Sequence, residues 1–177
     1  MDRGYTLTEL LAVISIVALL MAIGAPSYRS VTTSSRVSTE INALFVDLQY
    51  ARSEALKEGL PVTACISTDG ATCTAGSHWQ DGWIVFSDAN GDATVNGNDV
   101  VLRVQRPLSG ADSLQGNTGI TAIAFNREGF ALNLPSAGVL MTLHDATSNT
   151  TFTRCLSVTM AGMLTTQTHA AAPSTCT

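Results

Sequence analysis

Oxygen-bearing side chains recur at regular intervals between Asp88 and Asp99. Within this twelve-residue stretch they occupy positions 1, 3, 5, 9 and 12: Asp88, Asn90, Asp92, Asn96 and Asp99. Thr94 can add its backbone carbonyl at position 7. Calcium is a hard cation that binds carboxylate and carbonyl oxygens, and calcium loops present them in this order. The spacing therefore predicts a calcium site.

The same residues are equally suited to a turn between two β-strands. Position 6 holds Ala93 where calcium loops need Gly, and Asp99 is shorter than the bidentate Glu of position 12. Asn, Asp and Gly are also the residues of hairpin turns. Calcium loop and plain hairpin turn thus both stay open, and the surface around residues 69–99 is acidic in either case, with five Asp and no Lys or Arg.

The four cysteines predict two disulfides formed in an oxidising compartment. Four cysteines allow three pairings. We favour Cys65–Cys73, which are eight residues apart around a glycine-containing turn, and Cys155–Cys176, which bracket the C-terminal tail. Metal binding is the weaker alternative because there is no CxxC motif. The three histidines also lack ligand-like spacing to the cysteines: His78, His144 and His169.

Glu9 is the single charge in residues 5–25, and the sixteen residues from 10 to 25 carry none. About twenty helical residues cross a bilayer core, so this segment predicts a membrane helix with Glu9 near one face. A carboxylate there costs about 2–3 kcal/mol or more and is usually paired. Cleavage after Gly4 would create an amine on Tyr5 one helical turn from Glu9. That amine can neutralise Glu9 within one chain or between neighbouring chains.

A secretory signal peptide is the alternative for this N-terminus. Residues 22–24, Ala-Ile-Gly, could serve as its cleavage site. The segment before the apolar run, however, has only Arg3 against Asp2 and lacks the positive charge of such signals. The carboxylate of Glu9 also argues for the membrane helix.

The segment Gly4-Tyr5-Thr6-Leu7-Thr8-Glu9-Leu10-Leu11, with its apolar run and then Pro26, resembles the class III signal of type IV pilins and type II secretion pseudopilins. The resemblance implies that a prepilin peptidase cuts after Gly4 and methylates Tyr5. It also implies that Glu9 pairs with the N-terminus of a neighbouring subunit during assembly. The family usually has Phe where Tyr5 stands and a more basic leader, but Gly4 and Glu9 match.

A second helical segment follows Pro26, which is expected to end or kink the membrane helix. Apolar residues step by three and four along one face: Val37, Ile41, Leu44, Leu48, Ala51 and Ala55. This stripe predicts burial against the rest of the chain, and Gly59 and Pro61 predict the helix end. Residues 48–59 resemble the "LxxARSEAxxRG" segment of the GspH/FimT/FimU group of minor pilins and pseudopilins. Arg52 and Glu54 within it are predicted to be solvated charges rather than partners of the head.

Short β-like runs separated by turn residues fill the chain after residue 59. The predicted strands are Val62–Ser67, Gly82–Ser87, Val100–Gln105, Ile120–Asn126, Phe130–Leu134, Gly138–His144 and Thr151–Thr159. Linker-like sequence is confined to Thr165–Thr177. The fold class is α+β: a type IV pilin-like fold whose long N-terminal helix, half transmembrane and half amphipathic, packs on an antiparallel β-sheet head. The predicted organisation is 1–4 leader, 5–26 transmembrane helix, 27–59 amphipathic helix and 60–177 head.

Composition and motifs exclude several functional classes. Only 13% of the 177 residues are charged, and the net charge is −5. Residues 60–177 hold four Arg, no Lys and eight acidic groups, which sum to −4 and argue against DNA binding. The basic Gly-Arg-x-Arg motif of DNA-uptake pilins is also missing, since Gly162-Met163-Leu164-Thr165 stands in its place. No catalytic motif is present, so we predict no enzyme and no cofactor other than calcium.

The resemblance leaves three non-enzymatic functions. The first, which we favour, is a minor pilin that helps to initiate or cap a type IV pilus. The second is a GspH-like minor pseudopilin of a type II secretion system, and the third, disfavoured, is a FimT-like DNA-uptake pilin. The implied partners are other pilin subunits, the prepilin peptidase and inner-membrane lipid. The implied location is the inner membrane with the head in the periplasm, and then the extracellular fibre.

Overall fold

The computed structural model describes residues 6–117 and 119–177, which form two compact units divided between Arg36 and Val37. A single helix, α1 (Leu7–Glu58), contributes to both units. The helix is continuous through residue 26, so of the two expectations for Pro26 the end of the helix is wrong, while the kink stays a prediction. Proline removes one backbone hydrogen bond, and the helical turns on either side continue without it.

The second unit contains two antiparallel sheets. The first has the order β3-β2-β1-β5-β6 and the second the order β4-β7-β8-β9. The bounds of the strands are β1 Val62–Ile66, β2 Trp83–Ser87, β3 Val100–Gln105, β4 Ser113–Gly116, β5 Ala122–Phe125, β6 Ala131–Leu132, β7 Val139–His144, β8 Arg154–Val158 and β9 Leu164–Thr168. A short 3-10 helix, Trp79–Asp81, precedes β2.

The core of this unit lies around the predicted apolar stripe of α1. All six stripe residues are at most 2% exposed, which confirms their predicted burial. They belong to one cluster with side chains of both sheets, including Trp83, Phe125 and Met141. Helix and sheets share this core because their facing apolar side chains are removed from water together. The α+β class, with a long helix packed on antiparallel sheets, is therefore confirmed.

Two strands, β4 and β9, were not predicted from the sequence. Strand β4 buries only Leu114 among its four residues, so it has no readable alternation. Strand β9 lies partly in the segment predicted to be a linker, and it pairs with β8 from Leu164 opposite Val158 to Thr168 opposite Arg154. Thr is β-branched and favours strands, and a sheet-edge strand needs few apolar residues. The predicted linker character of Thr165–Thr177 is therefore wrong for the residues of β9.

Both predicted disulfides are present in the second unit. Cys65 in β1 is bonded to Cys73 in the following loop, and Cys155 in β8 is bonded to Cys176 next to the C-terminus. The second bridge closes a segment of 21 residues that includes β9. The backbone oxygen of Cys176 also lies 2.6 Å from Nδ1 of His169. The C-terminal segment is thus tied back to the sheet.

A polar connection joins α1 to the first sheet inside the core. Asp47 is 9% exposed, and its carboxylate accepts hydrogen bonds from Nε1 of Trp83 at 3.0 Å and from a guanidinium nitrogen of Arg103 at 2.9 Å. The same guanidinium lies 3.9 Å from the centre of the Tyr50 ring, a cation–π contact. Because Trp83 is fully buried, Asp47 gives its indole N–H the partner that water cannot supply.

Replacement of Asp47 tests this connection. We expect Asp47→Ala to lower the free energy of unfolding by about 2–3 kcal/mol, because it leaves the buried indole N–H unsatisfied. Chemical denaturation of the full-length protein in detergent, followed by the fluorescence of the two buried tryptophans, measures the change. Val46→Ala, at a side chain that is 52% exposed on the same helix, is the control and should change stability by less than about 0.5 kcal/mol. Equal effects of the two substitutions would contradict the assignment.

Candidate functional site

The first part of α1 has the properties that membrane insertion requires. It is the only helix in the described part of the chain that is long and apolar enough to cross a membrane, judged by length and composition. None of its most apolar eighteen-residue window is buried inside the protein. Leu10, Leu19 and Ile23 are 61%, 68% and 75% exposed, for example. An apolar surface of this extent needs lipid or other protein chains to cover it.

Glu9 lies in the first turn of α1. Its backbone N–H contacts both the side-chain oxygen of Thr6, at 3.3 Å, and the carbonyl of Thr6, at 3.1 Å. Thr6 thus caps the helix, and the carboxylate of Glu9 lies at the positive end of the helix dipole. Gly4 and Tyr5 lie outside the described residues, so cleavage after Gly4, methylation of Tyr5 and pairing of Glu9 with an amine stay predictions.

The loop between β2 and β3 brings the predicted calcium ligands together. Carboxylate oxygens of Asp88, Asp92 and Asp99 lie within 4.8 Å of one another. Asp88 is fully buried, while Asp99 is half-buried and Asp92 is exposed. Ala93, at the position where calcium loops have Gly, has a φ of +57°, the left-handed conformation that glycine favours. The backbone thus makes the sharp turn despite the missing glycine.

Hydrogen bonds within the loop also satisfy these carboxylates. Asp88 accepts from the backbone N–H groups of Asp92 and Ala93 and from the hydroxyl of Thr63. Asp99 accepts from two further backbone N–H groups, one near each end of the loop. Hydrogen bonds from the Asn96 amide, the Thr94 N–H and the Asn90 amide lower the pKa of Asp92. The donor set fits a hard cation, and the loop also holds its shape through its own donors.

Calcium binding by residues 88–99 therefore stays a prediction, and metal removal tests it. We expect EDTA to lower the melting temperature of the full-length protein in detergent and added Ca²⁺ to restore it. Calcium at about 100 times its dissociation constant contributes about 2.7 kcal/mol, or about 5–10 °C. Asp99→Asn should abolish the response, whereas Asp81→Asn, outside the loop, should preserve it. An unchanged melting temperature in EDTA would leave the segment a hairpin turn.

Arg52 connects the end of α1 to two turns of the head, so the prediction that it is a solvated charge is wrong. Its Nε donates to the carbonyl of Gly129 at 3.0 Å, and a terminal nitrogen lies 3.5 Å from the carbonyl of Ala161. The same prediction is wrong for Glu54, which is buried at 9% exposure. Its partner is not in the head: its carboxylate lies 2.6 Å from Nζ of Lys57 on the same helix, and this pairing raises the pKa of Lys57.

The burial of three carboxylates of α1 was not predicted, although their spacing could have revealed it. Glu40, Asp47 and Glu54 are seven residues apart and follow the edge of the apolar stripe. Each is less than 10% exposed. A seven-residue step returns to nearly the same face of a helix, so the pattern places all three beside the core. Acidic residues at such positions need hydrogen-bond partners, which the head supplies for Glu40 and Asp47 and the helix itself supplies for Glu54.

Glu40 holds the loop between β3 and β4. Its Oε1 accepts hydrogen bonds from the N–H of Ser109 at 3.1 Å and from its hydroxyl at 2.7 Å. Its Oε2 is buried, and the carboxylate of Asp112 is a neighbour of this group. Burial raises the pKa of Glu40, and the neighbouring carboxylate of Asp112 raises it further against the lowering effect of the Ser109 hydrogen bonds.

This raised pKa predicts a pH dependence of stability. The folded protein binds the Glu40 proton more tightly than the unfolded chain, so stability falls as the pH rises from the ordinary glutamate pKa through the raised one. We expect Glu40→Gln to weaken that fall. Denaturation midpoints at pH 4 to 8 measure it, with Glu58→Gln at an exposed position of the same helix as the control. Parallel pH profiles for wild type and Glu40→Gln would contradict the assignment.

Comparison with known proteins places these features in one family. The model of the family described as type II transport protein GspH matches residues 40–162, and the model of the prokaryotic N-terminal methylation motif matches residues 1–25. The first match covers more than half of the chain, including Arg52 and the loop from Asp88 to Asp99. The second includes Gly4, Tyr5 and Glu9.

Solved structures share the fold at low sequence identity. The type IV minor pilin FimU of Pseudomonas aeruginosa has a TM-score of 0.60 and 18% identity, over 85% of this chain and 99% of that one. A second crystal form of FimU has a TM-score of 0.58 and 20% identity, over 81% and 99%. The minor pseudopilin EpsH of Vibrio cholerae has a TM-score of 0.52 and 10% identity, over 75% and 97%. Together with the family matches, these findings show that the chain belongs to the GspH family of pilin-like proteins and carries its N-terminal methylation motif.

Proposed function

We propose that the chain is a minor pilin, a non-catalytic subunit that enters a type IV pilus and helps to initiate or cap it. The observation that carries this proposal is the methylation motif at residues 1–25, joined to an apolar helix that nothing in the described protein covers. Such a helix needs the bilayer before assembly, and it needs the helices of neighbouring subunits after extraction from the lipid.

Processing and membrane insertion come first in the proposed mechanism. The prepilin peptidase cuts after Gly4 and methylates Tyr5, while the apolar helix holds the subunit in the inner membrane. The disulfides Cys65–Cys73 and Cys155–Cys176 support a periplasmic head, since disulfides persist in oxidising compartments.

Neutralisation of Glu9 then favours assembly. In lipid the carboxylate is costly unless it has a partner, and the N-terminal amine of an adjacent subunit supplies one. Pairing the two charges lowers the cost of burying both in the bundle of N-terminal helices that forms the centre of the fibre. Glu9 thereby sets the axial position of the incoming subunit relative to its neighbour.

The corresponding role in a type II secretion system is the second candidate. It is favoured by the family description, type II transport protein GspH, and by the shared fold of the pseudopilin EpsH. The role in a pilus is supported by residues 48–59 and by the head with four cysteines, both of which resemble the pilus branch of the group. A deletion strain separates the two: loss of surface pili with normal secretion supports the pilin, and the reverse outcome supports the pseudopilin.

Replacement of Glu9 tests the assembly step. We expect Glu9→Ala to be inserted into the membrane and cleaved like the wild type, but to enter fibres at least tenfold less, because the neighbour's amine loses its partner. Immunoblots of membranes and of sheared fibres measure the two fractions. Gly4→Ala is the control for processing and should retain the leader, visible as a small increase in mass. Normal incorporation of Glu9→Ala would refute the pairing.

A further inference from the structure

An exposed apolar surface lies where α1 ends. Four large side chains form this helix-end patch: Leu56, Phe130, Met160 and Met163, which are 52%, 53%, 49% and 62% exposed. Among the described residues of the unit Val37–Thr177, only eight large hydrophobic side chains are exposed, and half of them are here. The apolar exposure of the head is therefore concentrated at one end rather than scattered.

Backbone contacts bring the three segments that carry the patch together. The side chain of Leu56 lies against Gly129, the residue before Phe130. The N–H of Ala131, on the other side of Phe130, donates to the carbonyl of Met160 at 3.0 Å. The N–H of Thr159 donates to the carbonyl of Met163 at 3.0 Å, which closes the turn that carries both methionines.

Arg52 and two glycines hold these parts in place. The Arg52 guanidinium binds the carbonyls of Gly129 and Ala161, one in each turn. Gly162 approaches the carbonyl of Gly129 so closely that a Cβ at residue 162 would overlap it. Helix end and turns are thus fixed to each other before any partner arrives, which lowers the entropy lost on binding.

The charges around the patch cancel in pairs. Lys57 lies 2.6 Å from Glu54, and Arg127 lies 2.9 Å from Glu128. A rim without an excess of one sign does not favour nucleic acid or an anionic lipid surface, both of which require clustered cations. It favours a protein face that is itself apolar, for which methionine is an adaptable contact residue.

The size of the patch indicates what kind of protein complex it suits. Four half-exposed side chains of this size present about 350 Å² of apolar surface. A stable binary complex buries about 800 Å² on each partner, so the patch alone is too small for one. It is large enough for a contact between subunits that are already held side by side, because a tethered partner binds at a high effective concentration.

We propose that the helix-end patch docks against the head of another pilin-type subunit in the same fibre. The proposal rests on the proposed function, since the bundle of N-terminal helices provides the tether. The patch then fixes the orientation of the head on its neighbour, while Glu9 fixes the axial position of the N-terminal helix. Phe130, the aromatic residue of the patch, is the expected anchor, and the two methionines add adaptable contact area.

Photo-crosslinking in cells that make the full-length chain tests the contact. A photoreactive residue at position 130 should crosslink in assembled fibres to a subunit that mass spectrometry identifies as another chain with an N-terminal methylation motif. The same probe at Val104, which is 54% exposed on β3, is the matched control and should give at least fivefold less of that product. Equal yields at the two positions, or adducts with lipid or with no pilin-type chain, would overturn the proposal.

Polar substitutions give an independent readout. The triple variant Phe130→Ser, Met160→Ser, Met163→Ser should leave membrane-inserted, processed protein unchanged but lower its fibre-associated fraction at least threefold. Val104→Ser should match the wild type. The single variant Met163→Ser, at the most exposed position, should show a smaller loss with an unchanged melting temperature, which separates docking from folding. Wild-type levels of all these variants in fibres would overturn the docking surface alone, whereas absence of the wild-type chain from fibres would overturn the proposed function.

Discussion

Along residues 37–55, helix α1 must bury an apolar stripe and three carboxylates side by side. The contacts between the helix and the head meet the first requirement and, for two of the carboxylates, the second. The stripe requires sheets on the helix because six apolar side chains cannot stay in water. The carboxylates require hydrogen-bond donors at three heights along the same contact. Ser109 supplies the donors for Glu40. Asp47 accepts from Trp83 and Arg103, and Glu54 accepts from a lysine of the helix itself.

For Glu40 and Asp47 those donors come from different parts of the head, so these polar contacts do more than satisfy buried charges. An apolar stripe alone tolerates sliding along the helix, whereas a carboxylate that needs one particular indole N–H does not. The loop between β3 and β4 is tied to the helix at Glu40, and strands β2 and β3 are tied to it at Asp47. The arrangement explains why residues far apart in the chain depend on the spacing of two acids on the helix.

Much of the fold could be predicted because its signals are local. The end of α1 at Glu58, the stripe from Val37 to Ala55 and both disulfides follow from the stop signals after the helix, from periodicity and from the proximity of cysteines in the chain. Strands β4 and β9 could not be predicted, since β4 has a single buried side chain and β9 is a threonine-rich edge strand. Their strand character comes from pairing with β7 and β8, which no local pattern records.

Some features of the candidate sites could likewise be predicted from local sequence patterns, and others could not. The spacing of Asp88, Asp92 and Asp99 predicts that their carboxylates meet, and they do. The role of Arg52 was not predictable, because its acceptors are backbone carbonyls of two turns that lie 77 and 109 residues further along the chain. A charged residue on a helix looks the same in sequence whether it faces water or a carbonyl.

Each disulfide of the head joins cysteines that are consecutive in the sequence. The two closed segments therefore do not overlap: one bridge constrains only the loop after β1, and the other only the stretch that contains β9. Since a bridge stabilises by restricting the segment that it closes, loss of either one frees its own segment and leaves the other still constrained.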